Sequence, residues 1–167
     1  MRTNRKGQAT VELVIALGLI VIPMTLAMLG FVEIIWTYHA LTTLTRRGAQ
    51  YAADHCWQDS AGSNVVTWMQ ANSPMFPDRP DLISGAIQIQ VQYWTHDPDS
   101  HTSIPFECGG GCGAECVPDS VTVSIQGYSF NHFFPMLGLS PIQVPPFSTT
   151  VAMQSAGVNP ETGAAAP

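Results

Sequence analysis

The sequence predicts an α+β chain: one long N-terminal helix, apolar in its first half and amphipathic in its second, packed against a small antiparallel sheet of about three strands. Three observations predict it. Twenty uncharged residues run from Leu13 to Val32. Apolar residues then recur every three or four positions as far as Tyr51. Later segments switch to a period of two. Those are the periods of helix and strand.

The apolar run, LVIALGLIVIPMTLAMLGFV, would extend about 30 Å as a helix, the thickness of a bilayer's hydrocarbon core. Arg2, Arg5 and Lys6 precede it, and positive flanks stay cytoplasmic. Beyond Gly48 a single base, Arg79, faces ten acids. The reading is a single-pass protein of the inner membrane with a cytoplasmic N-terminus and an acidic remainder outside. Such a remainder repels phosphate backbones, so no nucleic-acid partner is expected. Pro23, in mid-run, lacks an N–H and frees the carbonyl of Leu19, which predicts a kink or local melting. A secretory signal is the rival reading, but its apolar core is shorter and ends in a small-residue cleavage site.

The chain continues IIWTYHALTTLTRRGAQYAADH. Ile34, Tyr38, Leu41, Leu44, Gly48 and Tyr51 form an apolar stripe. Thr37, Thr43, Arg46, Arg47 and Gln50 are placed mainly on the opposite side. One helix from about Val11 to Ala53 would be about 65 Å long.

Ahead of the run stands RKGQATVEL. Glu12 is the fifth residue after Gly7, and a carboxylate drawn to mid-membrane costs about 2.5–3.5 kcal/mol unless partnered. Cleavage between Gly7 and Gln8 would create a partner, because the new α-amine lies four positions before Glu12 on the same helical face. That amine could equally pair with Glu12 of an adjacent subunit and set the register of packed helices.

Beyond the helix, Ser63 to Asn72 reads as a short helix capped by Ser63, with Val66 and Met69 or Gln70 on one side. Pro74, Pro77 and Pro80 read as loop. Ala86 to Trp94 alternates, with Ile87, Ile89, Val91 and Tyr93 opposite Gln88, Gln90 and Gln92. Ser120 to Gln126 repeats the alternation through Val121, Val123 and Ile125, and Phe147 to Gln154 does so less regularly. Two strands alone are not stable, and the helix stripe supplies their cover. Asn131 to Phe147 is apolar and Pro-rich, either a loop over the sheet or a contact surface. The end of the chain, residues 155–167, is small, polar and expected to be disordered.

The connection from Thr95 to Asp119 contains Cys108, Cys112 and Cys116; the fourth cysteine, Cys56, lies just past the long helix. In an extracytoplasmic domain these read as two disulfides, one tying Cys56 to the loop, with three pairings open. The rival is a metal site in which C-x3-C-x3-C is completed by His55, His96 or His101; structural zinc favours other spacings and a reducing compartment, so no metal and no cofactor are expected. His39 and His132 read as packed or interfacial. No G-x-S-x-G, P-loop or HExxH motif is present, and no catalysis is expected.

The basic leader, Gly7, Glu12 and the long apolar helix together resemble the type IV prepilin pattern. His39 to Ala53, HALTTLTRRGAQYAA, resembles a stretch of TadE-like proteins of the tight-adherence (Flp, type IVb) pilus system, and Val121 to Leu139 resembles that family's strand and P-x-L-G-like turn. Two departures stand out: Leu13 follows the glutamate where an aromatic is common, and Gln8 stands where other type IV pilins often carry Phe. The resemblance implies a pilin-like fold and a minor pilin (pseudopilin) role. It implies residues 1–7 as leader, 8–33 as transmembrane helix, 34–55 as its continuation and 56–154 as an extracytoplasmic domain. The implied partners are other pilin-like subunits, the pilus assembly machinery, membrane lipid and a prepilin peptidase cutting Gly7–Gln8. The alternative is an uncleaved single-pass envelope protein with an extracytoplasmic interaction domain.

Overall fold

An apolar run with one proline has every reason to stay helical where it has no water to bond with, and the structure keeps it so. The computed structural model describes residues 6–57, 63–108, 116–130, 138 and 140–153. Helix α1 (Lys6–Ala16) passes into a π-helical stretch (Leu17–Val21) and then into α2 (Ile22–Asp54). The expected disturbance at Pro23 is therefore a widened turn just upstream, and the chain stays helical through the proline. A proline ring crowds the carbonyl four residues back, and a π turn absorbs one extra residue without breaking the helix. Nearby, the Thr25 hydroxyl donates to the Ile22 carbonyl at 2.8 Å, the kind of side-chain help that membrane helices use around proline.

The chain falls into two compact units, Met1–Trp36 and Thr37–Pro167. In the first, apolar side chains are exposed all round the helix. The second contains the sheet. Strands β1 (Gln88–Asp97), β2 (Thr102–Pro105), β3 (Ser120–Gln126) and β6 (Phe147–Ala152) form one antiparallel sheet in the order β2-β1-β3-β6. Strands β4 (Ser129–Phe130) and β5 (Ile142–Gln143) pair separately. The register aligns Val91 with Val123 and Tyr93 with Val121, then Ile125 with Phe147. Period-two alternation puts these residues on one buried face. The other face carries a polar ladder: Gln126 Nε2 donates to Gln90 Oε1 at 2.7 Å, Trp94 Nε1 donates to Thr122 Oγ1 at 2.9 Å, and the Thr122 and Thr150 hydroxyls bond at 2.8 Å.

The sheet has four strands, one more than the sequence predicted. The extra strand, β2, lies in the expected 95–119 loop. It folds back on residues 94–97 through a tight turn in which Asp97 accepts from the Asp99 N–H at 3.1 Å and the Ser100 hydroxyl at 2.6 Å. All four β2 residues are exposed, so they show no apolar alternation to read.

The second half of α2 covers the buried face of the sheet. Its buried stripe is Thr37, Ala40, Leu41, Leu44, Thr45, Gly48, Ala49, Ala52 and Ala53. Two placements therefore correct the sequence reading: Thr37 is 1% exposed and Tyr38 is 58% exposed. Tyr38 lies at the edge, its ring 5.1 Å from Phe147 in an edge-on contact. The two buried threonines differ: Thr45 donates to the Thr42 carbonyl at 2.9 Å, whereas the Thr37 hydroxyl is buried without a hydrogen-bond partner.

Helix α3 (Ser63–Ala71) buries Val65 and Met69, one turn apart, where Val66 was the expected partner of Met69. The expected Ser63 cap lies outside the described side chains. The proline-rich stretch contains a short helix α4 (Arg79–Ser84), with Pro80 in its first turn and Gly85 at φ 83° ending it. Proline fits there because the first N–H groups of a helix have no internal acceptor.

Candidate functional site

Three regions are chemically distinctive: the helix head, the disulfide loop and a few side-chain polar contacts, one of them buried.

At the head, Gly7, Gln8 and Glu12 all lie within α1. Residues four apart share a helical face, and Gln8 Nε2 donates to Glu12 Oε1 at 3.4 Å. A Cβ placed on Gly7 would meet nothing within 4 Å, so the bond following it is not crowded by neighbouring side chains. Beyond Glu12 comes the exposed apolar surface: Leu13, Val14 and Ile15, then Leu19, Met24, Leu29 and Phe31, are each more than half exposed. The helix from Gly7 to Asp54 is long and apolar enough to cross a membrane.

In the outer unit Cys108 and Cys116 are joined in a disulfide, with Cα atoms 5.9 Å apart. Cys56 is disulfide-bonded as well. Cys112 lies outside the described residues. Two of the three loop cysteines that the metal alternative called on, Cys108 and Cys116, are thus joined to each other. Among the described residues no group of three or more His, Cys, Asp or Glu side chains is gathered where it could hold a metal ion. His96 and His101 have ring centroids 6.1 Å apart, while His55 bonds the Tyr51 carbonyl through Nδ1 at 2.8 Å and stacks on the Tyr51 ring.

Several polar contacts escaped the sequence reading. The Tyr128 hydroxyl donates to Asp78 Oδ2 at 2.7 Å, and both residues are buried. They are fifty positions apart, and nothing local marks them as partners. Asp119, just before β3, accepts the His96 N–H at 2.5 Å and the Thr95 hydroxyl at 3.0 Å. The His96 N–H first, and the Thr95 hydroxyl second, hold its carboxyl below the usual carboxylate range. Asp97 is lowered too, chiefly by the Ser100 hydroxyl and then by the Asp99 N–H. Burial pushes the Tyr93 phenol up to about 12, and its hydroxyl is buried with no hydrogen-bond partner.

Two hollows stand out among the described residues. One, of about 260 Å³, lies between Tyr38, Thr42, Thr45 and the segment Val144–Phe147. The other, of about 200 Å³, is lined by Asp78, Asp81, Ile87 and Tyr128 among others. Neither lining brings a nucleophile together with a histidine base, the pairing that covalent catalysis needs. The arrangement offers surfaces and cross-links.

No family model, no curated protein and no solved structure matches this chain.

Proposed function

We propose that the chain is a minor pilin-like subunit (pseudopilin) that takes part in assembling a tight-adherence type IV pilus. On this reading it is a single-pass protein of the inner membrane, with its N-terminus cytoplasmic and its disulfide-bonded domain extracytoplasmic. A prepilin peptidase cuts it after Gly7, and it packs beside other pilin-like helices.

One observation carries the reading. A helix whose apolar side chains point outward on every side is headed by a lone carboxylate, Glu12, one turn from Gln8. A membrane solvates the apolar surface. It does not solvate the carboxylate, which needs a cation at the same depth. The α-amine freed at Gln8 supplies one, from the same chain or from a neighbour. An ion pair in a low-dielectric bundle is costly to break by removing one member, so it fixes axial register.

The mature N-terminus tests the reading. Chains isolated from native cells are expected to begin at Gln8. A start at Met1 supports instead the uncleaved envelope protein, and a start beyond about residue 30 a secreted module. Glu12→Ala should leave the subunit in the membrane but impair piliation, counted by electron microscopy. Normal pili in that variant would overturn the assembly role of Glu12.

A further inference from the structure

A glutamine at the head of a chain has chemistry that an internal glutamine lacks. Within the intact sequence the Gln8 nitrogen is acylated by Gly7 and unreactive. Once freed, it is an amine that reaches the amide carbon of its own side chain by closing a five-membered ring. Intramolecular attack of this kind gains greatly over a bimolecular one.

The structure adds the second component. Gln8 Nε2, the atom that must leave, donates to Glu12 Oε1 at 3.4 Å. The carboxylate therefore stands over the leaving group, one helical turn from the freed nitrogen. A carboxylate that reaches the leaving nitrogen is placed to exchange a proton with it.

We propose that Gln8 is a modification site: after cleavage its α-amine cyclises onto its own side chain, with Glu12 carrying the proton, to give an N-terminal pyroglutamyl residue and ammonia. This rests on the cleavage described under Proposed function. The steps balance. Glu12 takes a proton from the α-ammonium, and the neutral nitrogen forms a bond to Cδ. The bond from Cδ to Nε2 breaks as a second proton passes from the attacking nitrogen to Nε2, and ammonia departs, collecting the proton held by Glu12. Nothing is oxidised or reduced, and no co-reactant is required.

The consequence bears on assembly. The lactam is neutral, so a cyclised chain has lost the cation that answers Glu12.

The test is the mass of the N-terminal peptide of the full-length protein, purified from membranes, with wild type, Glu12→Gln and Glu12→Asp prepared in parallel. The expected wild-type result is a peptide starting at Gln8, part of it lighter by one ammonia and blocked to Edman sequencing. That fraction should fall by about tenfold or more in Glu12→Gln, below the usual range of what proton transfer contributes because the amide can still hydrogen-bond. Glu12→Asp, which keeps the charge but shortens the reach, should give a reduced fraction as well. A wild-type chain beginning at Gln8 with its side chain wholly intact overturns the inference and leaves the cleavage reading standing. An equal cyclised fraction in all three proteins overturns the role of Glu12. A start at Met1 overturns both the cleavage and the inference.

Discussion

Leu19 and Leu44 lie in one continuous helical segment and have the same side chain, yet Leu19 is 73% exposed and Leu44 is 1% exposed. The contrast extends to the regions around them. From Leu13 to Trp36 most apolar side chains are exposed; from Thr37 onward most are buried on one stripe under a sheet. Helix formation is common to both. The difference lies in what covers the apolar surface: the chain's own strands cover the stripe of the second region, whereas the apolar side chains of the first stay mostly exposed.

The sharpest way to break this comparison is to make the same substitution in each region and follow thermal unfolding of the full-length protein in detergent. Leu44→Ala should destabilise the outer unit by about 2–5 kcal/mol, through lost transfer energy and a residual cavity. Leu19→Ala should leave that transition within about 0.5 kcal/mol, because no protein atoms pack there to leave a void. Equal effects would mean that the two regions are not solvated differently.

The disulfide comes next in size. Replacing Cys108 and Cys116 together by Ser should cost the outer unit about 2–3 kcal/mol in the chain-entropy model for so short a ring. Membrane insertion, followed by fractionation, should be unchanged. Peptide mapping of the wild type without reduction should recover this bridge and a second one ending at Cys56.

Gly48 sharpens the comparison by asking how closely the second region is packed. A Cβ there would overlap the side chain of Met69, which is itself fully buried. Gly48→Ala should therefore cost about 1–3 kcal/mol by overpacking, although alanine is the better helix former. At Gly18, in the first region, an added Cβ would meet nothing within 4 Å, and Gly18→Ala should be tolerated by the outer unit.

The effect smallest near neutral pH is a pH response confined to the second region. The Tyr93 phenol is raised to about 12 in the folded state by burial, against about 10 when unfolded. A raised acid keeps its stabilising contribution below the unfolded value and loses it as pH rises, so stability should decline between about pH 10 and 12. Tyr93→Phe should flatten that decline. It should also be neutral or slightly stabilising near pH 7, since the hydroxyl it removes has no partner.

Much of this architecture was legible in the residues. β1, β3 and the start of β6 follow from alternation, because a half-buried strand must put every second side chain in the core. The helix follows from length and apolarity. β2 was not legible, since an edge strand exposed along its whole length has no burial pattern to imprint. Strands β4 and β5, two residues each, are too short to show any period. The helix stripe was read slightly off its true line: Tyr38 counts as apolar and Thr37 as polar, whereas packing against a sheet selects for small size as much as for hydrophobicity. At the site, Gly7, Gln8 and Glu12 could be singled out because their spacing lies within one segment. The Asp78–Tyr128 pair could not, because fifty residues of chain separate its members.

The sequence by itself determined the elements whose cause is local: a helix from a long apolar run, strands from alternation, a carboxylate one turn from the residue it can answer. Only the tertiary structure decided which face of the helix meets the sheet, where the fourth strand pairs, and which cysteines and buried polar groups find each other. Local periodicity is written in neighbouring residues, whereas a packed contact depends on shape and hydrogen bonding between groups that the chain brings together only after it has folded.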